Sequence, residues 1–358
     1  MTNLFSNFPL GEHTLGNRMV MAPMTRNRAP ATIPTALMSE YYTQRAGAGL
    51  IITEGAQISE QAVGYPATPG IYLDSQVAGW RTITDAVHAK GSHIFVQLWH
   101  CGRISHPVFH GGELPVAPSA IKPAGQAFTA EGLKDFVTPR ALTEQEIPGI
   151  IEQYRHAAAM AVDAGFDGVE IHAANGYLLD QFLRDGSNKR QDIYGGSIEN
   201  RARLLLEVTK AVCDEIGAGK VGIRISPVNG FNDMQDSDPQ ALFNHVASAL
   251  SALQPAYLHM VEVTMTGDSD QRVDMQEIRR HFAGCYIANG GYDKQRGDHA
   301  IATGQADLIA YGIPFLANPD LPERFRQDAP LNPVDQTTLY GGDAHGYTDY
   351  PALESQPA

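Results

Sequence analysis

The chain has 358 residues, 43% hydrophobic and 18% charged, a balance that excludes bulk disorder and supplies enough apolar surface for a sizeable core. Its 26 Lys and Arg against 40 Asp and Glu give a formal charge of −14. That field repels phosphate backbones and anionic lipid, so nucleic acid and membrane are poor partners and a small molecule is the better one. Cys101, Cys213 and Cys285 lie far apart with no Cys-x-x-Cys pair, which argues against a disulfide framework or a structural zinc and fits a reducing cytoplasm. Residues 1–10 lack the cationic start and apolar stretch of a secretory signal, and no apolar run approaches the roughly 18 residues of a membrane span.

Length alone leaves one large barrel or two smaller domains open. In chain order, eight short apolar runs recur: Met19–Met24, Leu50–Gly55, His93–Trp99, Gly168–Ala173, Val221–Ser226, Tyr257–Val263, Tyr286–Gly290 and Leu308–Gly312. Each is followed by a turn and a helix-like pattern. Near-continuous apolar strands alternating with helices predict a parallel sheet covered on its outer face, and eight such units predict an α/β fold, a (β/α)₈ TIM barrel spanning 1–358 as one domain. Thr143-x-x-Glu146 reads as a capping box opening the helix after the third run. Ile147, Ile151, Tyr154, Ala158 and Ala161 then form its buried stripe, and Gly165 ends it. The Gly-, Pro- and Ala-rich stretch 100–142 is longer than a barrel loop needs and reads as a lid or capping segment. Residues 317–358 are expected to wrap the barrel without a core of their own.

A barrel of this type projects reactive groups from the C-terminal ends of its strands. Those ends carry Pro23, Met24 and Thr25; Gln97 and Trp99; His172, Asn175 and Tyr177; and Arg224. A buried Arg224 needs an acceptor, either a structural carboxylate or a ligand. Gly290 and Gly291 after the seventh strand and Gly312 after the eighth suit a phosphate, although Gly-Gly is also an ordinary turn. In His172-x-x-Asn175-x-Tyr177 an imidazole and an amide can donate to one oxygen, with a phenol as proton donor beside them; a strand-end histidine in a polar loop is the bland alternative. No Walker A motif is present. His100, Cys101, His106 and His110 fit no zinc spacing and read as solvated loop side chains, so no metal site is expected.

The stretch 172–208, HAANGYLLDQFLRDGSNKRQDIYGGSIENRARLLLEV, together with APMTR (22–26), QLWHCGR (97–103), LANPDLPERF (316–325) and YGGDAHGYTDYP near the C-terminus, closely resembles the old yellow enzyme family of flavin-dependent ene-reductases. Within it, the chain is most similar to the bacterial N-ethylmaleimide and xenobiotic (nitrate ester) reductase branch. The resemblance implies noncovalent FMN at the barrel mouth, reduced by NADPH or NADH and reoxidised by electron-poor alkenes of α,β-unsaturated carbonyl or nitro compounds. Nitrate esters and nitroaromatics are further candidate acceptors. It implies that Thr25, Gln97 and Arg224 contact the flavin ring, that Pro23, Met24 and Gly55 line it through their backbones, and that Gly290, Gly291 and Gly312 approach the phosphate. His172 and Asn175 would hold the substrate oxygen and Tyr177 would protonate the α-carbon. Tyr65, Trp99 and Tyr340 would shape the substrate side.

Three positions depart from relatives. Ile313 follows Gly312 where many have Arg, Asn175 stands where some have His, and Thr25 stands where another branch has Cys. A flavin-binding sensor without turnover and a barrel metal-dependent hydrolase are the competing readings. A monomer or small homo-oligomer in the cytoplasm is expected.

Overall fold

The computed structural model describes residues 2–264 and 272–353. Eight parallel strands close into a barrel in chain order: Met19–Met21, Leu50–Gln57, His93–Trp99, Gly168–Ala173, Val221–Ile225, Tyr257–Val261, Cys285–Asn289 and Leu308–Tyr311. All eight apolar runs are strands. The first stops at Met21, short of the expected Met24, because Pro23 has no N–H to give a ladder and its fixed φ turns the chain out towards the mouth. The last stops at Tyr311, before Gly312 opens a short helix.

Side chains pointing inward at the lower end, among them Leu50, Ile52, Phe95, Tyr257, Ile287 and Leu308, form one buried cluster with Leu10 and Leu15. Those two leucines belong to an antiparallel hairpin, Phe8–Leu10 with His13–Leu15, absent from the sequence reading. It plugs the N-terminal end of the barrel and leaves the opposite end as the mouth. Helices Ala36–Gln44, Asp74–His88, Ile147–Asp163, Ile198–Ile216 and Pro239–Ala252 bury their apolar faces against the outside of the sheet.

The Glu146 carboxylate accepts from both the N–H and the hydroxyl of Thr143, and Gly165 follows the helix end at φ 84, the left-handed conformation glycine adopts at low cost. Ile150 takes the fully buried place expected for Ile151, which is half-buried.

Residues 100–142 carry an antiparallel hairpin, Gln126–Thr129 with Gly132–Asp135. The C-terminal segment is fixed through Arg26 and Arg28, whose guanidinium groups donate to the carbonyls of Thr338, Leu339, Asp343, His345 and Gly346. Its buried residues Leu321, Phe325 and Tyr347 join the main core, where the Tyr347 ring stacks on Tyr41 at 4.1 Å. The cysteines are unpaired. No helix among the described residues is long and apolar enough to cross a membrane.

Candidate active site

A cavity of about 1180 Å³ opens at the C-terminal end of the barrel. Pro23, Met24, Thr25, Gln97, Trp99, His172, Asn175, Tyr177, Arg224, Gly290, Gly291, Gly312, Tyr65 and Tyr340 all line it, side chains and backbone drawn from strands one, three, four, five, seven and eight and from the loops above them. Gly55 does not. It lies within strand two, where an added Cβ would sit 2.6 Å from the Trp99 ring. Its missing side chain makes room for the indole. His100 also departs from expectation. It is fully buried, its Nδ1 accepts from the Gly102 N–H at 3.1 Å, and burial pushes its pKa down to about 3. The described side chains near enough to share an ion, His13, His93 and Asp167, sit at the opposite, N-terminal end of the barrel.

One wall is polar and fixed from beneath. Glu170 of strand four is wholly buried and accepts from Gln97 Nε2 and His259 Nδ1, both at 2.8 Å. Burial opposes its ionisation, but His259, Arg224 and the Gln97 amide outweigh that and hold it below the usual carboxylate range. Because this carboxylate only accepts, the Gln97 amide must turn its NH₂ towards it, leaving the Gln97 carbonyl oxygen for another donor. Arg224 makes no ion pair among the described residues. Its Nη2 donates to Asn289 Oδ1 at 3.0 Å, and the Asn289 amide is anchored by the Ala310 carbonyl. Its Nε is buried with no partner. A guanidinium with an orphaned donor in a cavity wall calls for an electron-rich ligand.

The other wall is aromatic. Tyr65 stacks on Trp99 at 5.3 Å and meets Tyr177 through a hydroxyl-to-hydroxyl hydrogen bond of 3.1 Å. Tyr177 lies edge-on to both Trp99 and His172, at 4.9 and 5.1 Å. Burial pushes the Tyr177 phenol well above its ordinary pKa, so it stays protonated. Burial, with Arg224 and His259 nearby, pulls His172 well below the usual histidine range, so its ring is neutral, and its Nδ1 has no partner.

Sequence reasoning missed Phe128 and Phe136 from the excursion and Phe231 and Asn232 from the loop after strand five, all of which line the cavity. Phe128, Phe231, Ile313 and Tyr340 are among the exposed large hydrophobics, a concentration at one opening that marks a ligand site. Lys134 and Arg140 of the excursion pair with Glu131 and Glu146 at 2.8 Å each.

A barrel mouth with an orphaned arginine, a half-satisfied glutamine amide, a corner lined by glycines and an aromatic wall with a neutral histidine offers partners to a flat, electron-rich ligand. The family model described as "NADH:flavin oxidoreductase / NADH oxidase family" matches residues 3–332. 12-Oxophytodienoate reductase 1 of Oryza sativa subsp. japonica is 46% identical over 98% of this chain and 93% of its own length. 12-Oxophytodienoate reductase 2 of Arabidopsis thaliana is 43% identical over 98% and 96%. Among solved structures, morphinone reductase in complex with tetrahydroNAD superposes with a TM-score of 0.94 at 47% identity, covering 99% of both chains. The old yellow enzyme homologue from Zymomonas mobilis gives 0.95 at 44%, over 98% of this chain and 100% of the other. The chain belongs to the old yellow enzyme family. It is an NAD(P)H-dependent flavin oxidoreductase of the ene-reductase type, with FMN as its cofactor.

Proposed function

We propose that the chain reduces the C=C bond of α,β-unsaturated carbonyl and nitro compounds, with Tyr177 as proton donor and His172 and Asn175 as the oxygen-binding pair. The residues present fit FMN: the buried Arg224 Nε has no partner among the described residues, and Glu170 holds the Gln97 NH₂ so that its carbonyl is left for another donor. Arg224 would face the ring edge that becomes anionic on reduction, where a fixed cation in a dry site is worth most. Thr25 and the backbone of Pro23 and Met24 would lie along the ring, and Gly290, Gly291 and Gly312 would let backbone N–H groups reach the phosphate. FMN, when bound, would supply the hydride chemistry that links the nicotinamide to the alkene.

What this chain's side chains do follows from their protonation states. A neutral imidazole and an amide donate to the carbonyl or nitro oxygen where negative charge gathers, the arrangement of an oxyanion hole. The protonated Tyr177 phenol, held in place by Tyr65, delivers a proton to the α-carbon. Trp99, Tyr65 and Tyr340 suit flat, unsaturated ligands. The hairpin Gln126–Asp135 covers the opening as a lid, and the C-terminal segment brings Tyr340 to its rim.

The observation that carries this reading is the meeting of His172, Asn175, Tyr177 and Arg224 on one cavity. Tyr177→Phe tests it: reduction of the flavin by NADPH is retained, while alkene reduction slows by about 10²-fold. Equal rates in both half-reactions would remove Tyr177 from the scheme.

A further inference from the structure

Asn175 is tied at every polar group but one. Its backbone lies at φ 57, a left-handed conformation that asparagine tolerates better than most residues. Its N–H donates to Ser226 Oγ at 2.7 Å, and its carbonyl accepts from Asn232 Nδ2 at 2.8 Å. Its side-chain Oδ1 accepts from Asn229 Nδ2 at 2.9 Å. Among the described residues nothing binds Asn175 Nδ2, and Asn175 lines the cavity while Asn229 does not.

The direction of these bonds follows from hydrogen-bond chemistry alone. The Phe231 backbone N–H meets the Asn229 amide at 3.1 Å, and a backbone N–H can only donate, so the group facing it is Asn229 Oδ1. Asn229 must then present its NH₂ to Asn175. The atom of Asn175 that receives it must be the carbonyl oxygen, and the NH₂ of Asn175 is driven to the cavity side. Asn229 is 1% exposed, so breaking the chain would leave buried polar atoms unpaired.

We infer that Asn229 is a positioning residue that latches the Asn175 amide with its donor, not its acceptor, towards the substrate oxygen, and so sets the preference of the site for carbonyl and nitro acceptors. This rests on the reading of Asn175 as a substrate-binding donor given above. An unlatched amide can rotate by half a turn and offer Oδ1, which repels a carbonyl or nitro oxygen. A histidine at 175 has no such ambiguity, since it can take the tautomer that places an N–H on the cavity side.

The test uses the FMN-loaded full chain and two variants, Asn229→Asp and Asn229→Leu, alone and in an Asn175→His background. The affinity for cyclohexanone, a ketone that cannot be reduced at a C=C bond, is followed by flavin absorbance, and kcat/KM for 2-cyclohexenone is measured alongside. The carboxylate introduced by Asn229→Asp can accept from the Phe231 N–H but cannot donate to Asn175. The cyclohexanone Kd therefore rises about 10-fold or more, and kcat/KM falls by up to about 10²-fold. In the Asn175→His background the same change moves both by less than about 3-fold. Asn229→Leu behaves alike if it retains FMN, and Asn229→Asp decides the matter if it does not. An unchanged Kd in Asn229→Asp, or equal losses in both backgrounds, overturns the latch. Asn175→Ala separates the two readings. Weaker cyclohexanone binding there with an unaffected Asn229→Asp overturns the latch alone, whereas no effect of Asn175→Ala overturns the donor assignment beneath it.

Discussion

In the sequence Arg224 is a cation inside an apolar strand, which demands an acceptor without saying which. In the fold, the carboxylate that could have neutralised it, Glu170, is engaged by Gln97 and His259, and among the described residues Arg224 is left with one neutral contact, to Asn289. Its charge is therefore available to a ligand. Arg224→Gln keeps a donor but removes the charge, and it is expected to weaken FMN binding about 10-fold or more and to lower the flavin reduction potential. Fluorescence titration and a dye-coupled potential measurement check the two effects. His172, Asn175, Tyr177, Gln97 and Arg224 could be seen this way, as polar groups at the ends of apolar runs. Asn229 could not, because its importance lies in a contact to a residue 54 positions earlier. Nor could the Tyr65 to Tyr177 bond, which joins positions 112 apart. Gly55 shows a related limit: a glycine in a strand can admit a ligand or a neighbouring ring, and only packing shows that the Trp99 ring lies against its missing side chain.

At the scale of elements, the barrel strands were legible because a parallel strand buried on both faces must be apolar almost throughout. The N-terminal hairpin was not, since two three-residue strands, Phe8–Leu10 and His13–Leu15, are too short to carry a period. The hairpin over the mouth, Gln126–Asp135, was legible only as an overlong loop. Strand contacts also explain glycines that have no chemistry. At Gly222 in strand five an added Cβ would fall 2.0 Å from the Tyr257 ring of strand six, and Tyr257 is fully buried in the lower barrel. Gly222→Ala is expected to destabilise by about 1–3 kcal/mol through overpacking. Urea denaturation should show this as a lower midpoint, while the FMN affinity of the folded fraction stays the same because the cavity lies at the other end.

For the whole molecule, the Arg26 and Arg28 contacts hold the C-terminal segment, and with it Tyr340, against the first barrel loop. Beneath them Glu54 is wholly buried, accepting from the Arg26 N–H at 3.2 Å and from Tyr42 Oη at 3.4 Å. Burial pushes its pKa up to about 7 from an ordinary 4.5. A carboxyl raised in this way binds its proton more tightly in the folded state. Stability from this group is full below pH 4.5 and is lost as pH rises towards 7, by about 3 kcal/mol across the window. Asn and Gln isosteres do not titrate, so Glu54→Gln gains relative to the parent between about pH 5 and pH 8. Urea unfolding of both proteins at the two pH values measures the difference, and a parallel pH response would show that Glu54 does not titrate in that range.

Everything turns on whether this cavity holds a flavin whose electrons go to an activated alkene. Anaerobic stopped-flow mixing of the photoreduced, FMN-loaded protein with 2-cyclohexenone tests it most directly. The expected result is rapid return of the oxidised flavin absorbance, at a rate that saturates with enone and with one equivalent of cyclohexanone formed per flavin. A flavin that stays reduced until air is admitted would contradict it.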